Sequence, residues 1–158
     1  STEHGPMGGD EVNINKNLNI INNYGWPISS YGEHYPSMVP KKAYETAPLH
    51  KSHKNYGFVE PIKYFVPSIG ITQITKANNA KNNLDLVNNY FFSSMGYEDR
   101  KNALSIHQIQ FDKNYEKILY EDKIKIGNRI RDILYLEKYN SLLAFLEKRG
   151  SIILINYE

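Results

Sequence analysis

An all-β fold is expected for this chain on three observations: its β-branched and aromatic residues gather in short runs, those runs repeat over the second half, and Gly- and Asn-containing breaks separate them. Short strands at this spacing suit a sandwich or a set of propeller blades. At 158 residues the chain can bury one ordinary core, so a single domain is expected.

Residues 11–15 alternate apolar and polar side chains as a half-buried strand does, and the Asn-rich stretch 17–23 ends it. Residues 31–56 carry Pro36, Pro40 and Pro48, several His and Lys, and no period, which describes a long loop. Regular structure resumes at 61–66, a β-branched and aromatic run, and Pro67 ends that strand or marks an edge. A polar stretch, 76–83, separates it from a strand at 90–94. Further strands are expected at 104–111, 117–120, 129–136, 142–146 and 151–157, with breaks at 112–114, 127–128, 139–141 and Gly150. One segment reads two ways. Ile130, Ile133, Leu134, Leu142, Leu143, Phe145 and Leu146 also stripe a helix over 132–149 with Gly150 as its stop signal, and the pattern alone leaves helix and strand open.

Composition narrows the function classes. The net charge is +2 with 23% charged residues, and Lys and Arg are scattered among Asp and Glu, which argues against nucleic-acid binding. No apolar run, 151–155 included, approaches the roughly 20 residues a membrane-crossing helix needs, so a soluble chain without membrane insertion is expected. With no cysteine there is no disulfide, thiolate metal site or thiol nucleophile, which leaves oxygen-ligated metals or organic cofactors.

Two segments point to such a metal. Glu3-His4-Gly5-Pro6-Met7-Gly8-Gly9-Asp10-Glu11-Val12-Asn13 is a loop rich in Gly and acids, and Asn23-Tyr24-Gly25-Trp26-Pro27-Ile28-Ser29-Ser30-Tyr31-Gly32 is an aromatic turn. Carbonyls and carboxylates in such a loop suit a hard cation, which takes about six to eight oxygens. A tight turn with a solvated acidic edge is the blander reading of the first segment alone. In Asn128-Arg129-Ile130-Arg131-Asp132 the two arginines lie two apart on a strand, so both guanidiniums face one side. They suit a planar polycarboxylate, or else pair with Asp132, Glu121 or Asp122 on a wet face. His50-Lys51-Ser52-His53 reads as a polar loop, and His107 as a packed histidine.

In this order and spacing the first two segments resemble the glucose/sorbosone dehydrogenase family, β-propeller enzymes that oxidise sugars with pyrroloquinoline quinone (PQQ) and calcium. The resemblance implies a partial β-propeller, the C-terminal blades of a six-bladed propeller, with a long irregular loop and no separate second domain over 1–158. It implies strands for 129–157, because the family carries an Arg-x-Arg-Asp strand, a turn, a strand, a Gly-containing turn and a final strand in this order. It assigns the quinone's calcium to the carbonyls of Gly5 and Pro6, and a second, structural calcium to Glu11 and the carbonyl of Tyr24. Arg129 and Arg131 become cofactor-contacting residues. Tyr64-Phe65-Val66-Pro67-Ser68-Ile69 matches the family's aromatic-x-Pro-Ser-Ile stretch, which places Ser68, and more weakly Thr72, toward the quinone.

The implied activity is hydride transfer from the anomeric carbon of an aldose to the quinone, giving a lactone, in a periplasmic or secreted protein whose electron acceptor is not readable. The family's general base is a His in its N-terminal part, and His4, His34, His50, His53 and His107 do not match it. Ser1 enters the first motif without an initiator Met or leader. The chain is therefore expected to be a C-terminal fragment, inactive alone, with exposed strand edges open to self-association. A Lys that some members carry after the strand at 91–95 is Gly96 here, which favours a second reading: a propeller scaffold or binding module that has lost quinone chemistry.

Overall fold

Every pairing between the described strands is antiparallel and joins strands consecutive in the chain, the pattern of hairpins and meanders. The computed structural model describes residues 1–36, 42, 46, 49–77 and 88–156. The chain forms two compact units, Ser1–Ile69 and Gly70–Glu158, and the described strands pair within their own unit.

In the first unit, β1 (Thr2–Glu3), β2 (Asp10–Val12) and β3 (Lys63–Phe65) form a three-stranded sheet in that order. The register sets Glu3 opposite Glu11 and Glu11 opposite Tyr64. All three residues of β2 are buried, two of them acids, so the centre of this small sheet is polar. Much of the predicted loop 31–56 lies outside the described residues. Within it Lys42 and Thr46 are helical and Lys54–Tyr56 is a 3₁₀ turn, so the loop is not wholly irregular.

In the second unit, β4 (Ile71–Ala77), β5 (Asn89–Ser94), β6 (Ser105–Phe111) and β7 (Ile118–Lys125) make a four-stranded meander. Then β8 (Ile130–Leu136), β9 (Ser141–Leu146) and β10 (Ser151–Asn156) make a three-stranded one. Phe91, Ile106, Ile130, Ile133, Leu142 and Leu146 join in one buried cluster, each contributing about 1.5–3 kcal/mol by leaving water. The 132–149 segment is thus strand, not helix. Its breaks explain why: Glu137–Tyr139 and Glu147–Arg149 are matching 3₁₀ turns closed by Asn140 and Gly150, both left-handed. Asn and Gly tolerate that conformation best.

The sequence pattern misses two features here. Strand β4 goes unseen because a register shift between Ile71 and Ile74 breaks its alternation. Strand β7 runs past the expected 117–120, since the charged Glu121, Asp122, Lys123 and Lys125 carry little apolar signal but stand on an exposed outer strand. Charges there discourage pairing with another chain. His107 is packed as expected, stacked on Phe92 at 4.8 Å with Nε2 donating to the Asn102 carbonyl at 2.8 Å.

Candidate functional site

The predicted site residues fall in both units, and each group forms a defined cluster within its own unit. In the first, the organiser is Asp10, fully buried at the start of β2. Its Oδ1 accepts from the Gly5 N–H at 3.0 Å and from the Ser68 hydroxyl, and its Oδ2 accepts from the Ile69 N–H at 2.9 Å. One carboxylate therefore brings the Gly5-Pro6 loop and Ser68 together. A Cβ on Gly5 would lie 2.2 Å from the Gly8 carbonyl oxygen and 2.4 Å from that of Gly9, so carbonyls crowd this loop and only glycine fits. The Pro6 carbonyl accepts from the Tyr35 hydroxyl at 3.2 Å, which leaves its second lone pair. Carbonyl oxygens are donors of the kind a hard cation takes. The second motif packs here too: Gly9, at φ +74°, comes so close to Gly32 that a Cβ would sit 2.3 Å from its nitrogen.

Glu11 and Tyr24 also converge, and what lies between them is His53. This residue, expected in a polar loop, is 1% exposed. Its Nδ1 donates to the Tyr24 carbonyl at 2.8 Å, and its Nε2 lies 3.2 Å from Glu11 Oε1, within ion-pair range. Gly25, at φ +99°, allows this approach, since a Cβ there would lie 3.2 Å from Nδ1. Burial pushes the Glu11 carboxyl above its ordinary value of 4.5, against the pull of the Asn13 hydrogen bond and of His53. Among the described residues no group of three His, Cys, Asp or Glu side chains is placed to hold a metal ion.

In the second unit, the turn after β9 sets Glu147 beside Arg129, whose carbonyl accepts the Glu147 N–H at 2.9 Å. A register shift between Ile130 and Asp132 makes Arg131 an extra residue of β8. Both arginines then reach the same atom: Arg129 Nε and Arg131 Nε each lie 2.8 Å from Glu147 Oε2. The acidic partner is thus Glu147, eighteen and sixteen residues away, instead of the neighbouring acids considered from sequence. Arg129 also donates from Nη1 to the Met95 carbonyl at 2.7 Å. Beside it opens a cleft of about 540 Å³ lined by Gly96, Tyr97, Asn128, Arg129, Glu147 and Lys148, among others. Its size suits a small organic ligand, and its charges are mixed, with Glu98 and Glu147 beside Arg129 and Lys148. The Thr72 hydroxyl is used between strands: it lies 2.5 Å from Ser93 Oγ and donates to the Ile130 carbonyl at 3.0 Å.

Hydrogen bonds from Arg129 and then Arg131 hold the Glu147 carboxyl below its ordinary 4.5. An acid whose folded value is depressed stabilises the fold above its unfolded value, and loses that contribution as pH falls through the folded one. A carbon-detected NMR titration of Glu147 is expected to give a midpoint below 4.5, moving back toward 4.5 in Arg129→Ala. An unshifted midpoint in the parent protein would remove the shared clamp.

Consecutive antiparallel meanders, a carbonyl-rich glycine loop tied to a buried acid, and a cleft beside Arg129 define an all-β protein of consecutive hairpin-connected sheets. The chain belongs to the glucose/sorbosone dehydrogenase family, whose model matches residues 1–154. It is 29% identical over 133 residues to uncharacterized protein slr1608 of Synechocystis, a match spanning 84% of this chain and 28% of that protein. Among solved structures, a glucose dehydrogenase superposes with a TM-score of 0.72 at 22% identity, over 99% of this chain and 40% of that one. The soluble aldose sugar dehydrogenase of Escherichia coli, in its apo-form, gives 0.69 at 24% identity, over 98% and 39%. The fold is accordingly that of part of a β-propeller, and the chain spans well under half the length of these relatives. No helix among the described residues is long and apolar enough to cross a membrane.

Proposed function

We propose that the whole protein containing this chain is a PQQ- and calcium-dependent aldose dehydrogenase, periplasmic or secreted, that turns the anomeric carbon of a sugar into a lactone. The observation that carries this reading is the convergence of Arg129 and Arg131 on Glu147 beside a ligand-sized cleft, in a chain of this family. When bound, the quinone would supply a hydride-accepting centre and calcium a Lewis acid beside it.

The chain's own residues bind and orient. Arg129 and Arg131 would hold carboxylates of the cofactor by exchanging their shared Glu147 partner for it, and their fixed charge would favour an electron-rich reduced form. Gly5 and Pro6 offer carbonyl oxygens to the cation, while Asp10 pins that loop and Ser68. Lys148 shares the cleft with Gly96, which supplies a cation where the lysine of some members is absent. The general base belongs to the portion of the protein outside this chain, so these residues alone are inactive.

A second reading, a scaffold that has lost quinone chemistry, draws support from the Ser68 and Thr72 hydroxyls, both of which bond within the protein. Titrating PQQ with calcium into the whole protein, followed by aldose-dependent dye reduction, separates the two. Saturable quinone binding with sugar-dependent turnover is expected for the dehydrogenase. Absence of quinone binding leaves the scaffold.

A further inference from the structure

We infer that the His53 ring takes the place between Glu11 and Tyr24 that the family resemblance assigns to a structural calcium, so that a side chain, not a metal ion, ties β2 to the turn at Tyr24-Gly25.

The argument is one of donors and space. A calcium ion here needs about six to eight oxygens around it. Each Glu11 oxygen is met by a nitrogen instead: Asn13 Nδ2, which also donates to Glu3 Oε1 at 3.1 Å, donates to Oε2 at 3.2 Å, and His53 Nε2 lies 3.2 Å from Oε1. The Tyr24 carbonyl is engaged by the other side of the same ring. A carbonyl only accepts, so Nδ1 carries the hydrogen of that 2.8 Å bond. The imidazole thus spans both expected ligands, facing each with one nitrogen.

The ring is also held from outside the pair. Tyr31 stacks over it at 5.4 Å and 14°. The His53 carbonyl accepts the N–H groups of both Tyr56 and Phe58 at 3.0 Å, which fixes the backbone beneath it. Glu60 anchors the surroundings by accepting from the Lys54 N–H at 2.8 Å and the Tyr31 hydroxyl at 2.8 Å. For a metal to enter, an almost fully buried ring would have to leave this frame. Asn13 Oδ1, buried and without a hydrogen-bond partner among the described residues, is the oxygen a displacing metal would recruit.

This inference is independent of quinone chemistry, and its test reads the ring directly. The protein is stripped of metal with a chelator, and nitrogen-proton NMR correlations of the His53 ring and the Asn13 side chain are recorded while calcium is added to millimolar concentration. The expected result is a slowly exchanging Nδ1–H present without calcium and unmoved by it. Loss of that resonance with calcium, together with shifts at Asn13, would overturn the inference by showing that metal displaces the ring. His53→Gln is expected to lower the unfolding temperature measured in chelator; an unchanged temperature would also overturn it.

Discussion

Asp10→Ala is expected to destabilise the Ser1–Ile69 unit by about 3–4 kcal/mol, because one buried carboxylate serves three donors. Two of those donors are backbone N–H groups, of Gly5 and Ile69, and the third is the Ser68 hydroxyl. Removing the acceptor takes a partner from each, and an orphaned buried donor costs about 1–3 kcal/mol, most at the buried Ile69 and Ser68 contacts and less at the part-buried Gly5 N–H. The relief of no longer burying a charge offsets part of that sum. Against a total stability of about 5–15 kcal/mol for a natural domain, the loss is large. Asp10→Asn keeps an acceptor oxygen but turns an NH₂ toward a donor, so an intermediate loss of about 2 kcal/mol is expected. Urea unfolding of the three proteins measures this order. Equal stability of Asp10→Ala and the parent would show that Asp10 does not organise the Gly5 loop and Ser68.

Replacing Arg129 and Arg131 together by Ala is expected to weaken PQQ binding by about a hundredfold, which corresponds to about 2.7 kcal/mol. Charge-assisted hydrogen bonds from each fork contribute about 1.5–3 kcal/mol, and release of Glu147 as a bare carboxylate in the same cleft adds repulsion. The fold should tolerate the change, since the arginines are 39% and 45% exposed in their side chains and surface ion pairs contribute little. A double Lys variant separates charge from geometry. It keeps both positive charges but loses the planar forks, so affinity between parent and Ala levels is expected. Calorimetric titration with the quinone decides the matter, and parent-like affinity in the Ala variant would place the cofactor elsewhere.

The strands of the second unit are legible because their signals are local. Residues 90–94, 104–111, 142–146 and 151–157 alternate or cluster in ways that survive in the folded strands within a residue or two. Where alternation fails, so does the reading: the register shift in β4 hides Ile71–Ala77, and the charged outer part of β7 carries too few apolar residues to be seen. The helix alternative for 132–149 persists until the Asn140 and Gly150 turns are seen, because seven apolar residues fit either period over so short a span.

By itself, then, the amino-acid sequence determined the all-β character, the turn positions, the Gly5-Pro6 loop, the arginine pair and the family, all of which are written in neighbouring residues. Tertiary structure alone decided that Asp10 joins that loop to Ser68, that Glu147 is the shared partner of the arginines, and that His53 stands between Glu11 and Tyr24. The physical reason is the range of the contacts. A hydrogen bond or ion pair between residues sixteen to fifty-nine positions apart leaves no periodic trace in either segment. It exists only once antiparallel pairing and tight glycine turns have brought the two stretches of backbone within 3 Å of each other's polar atoms.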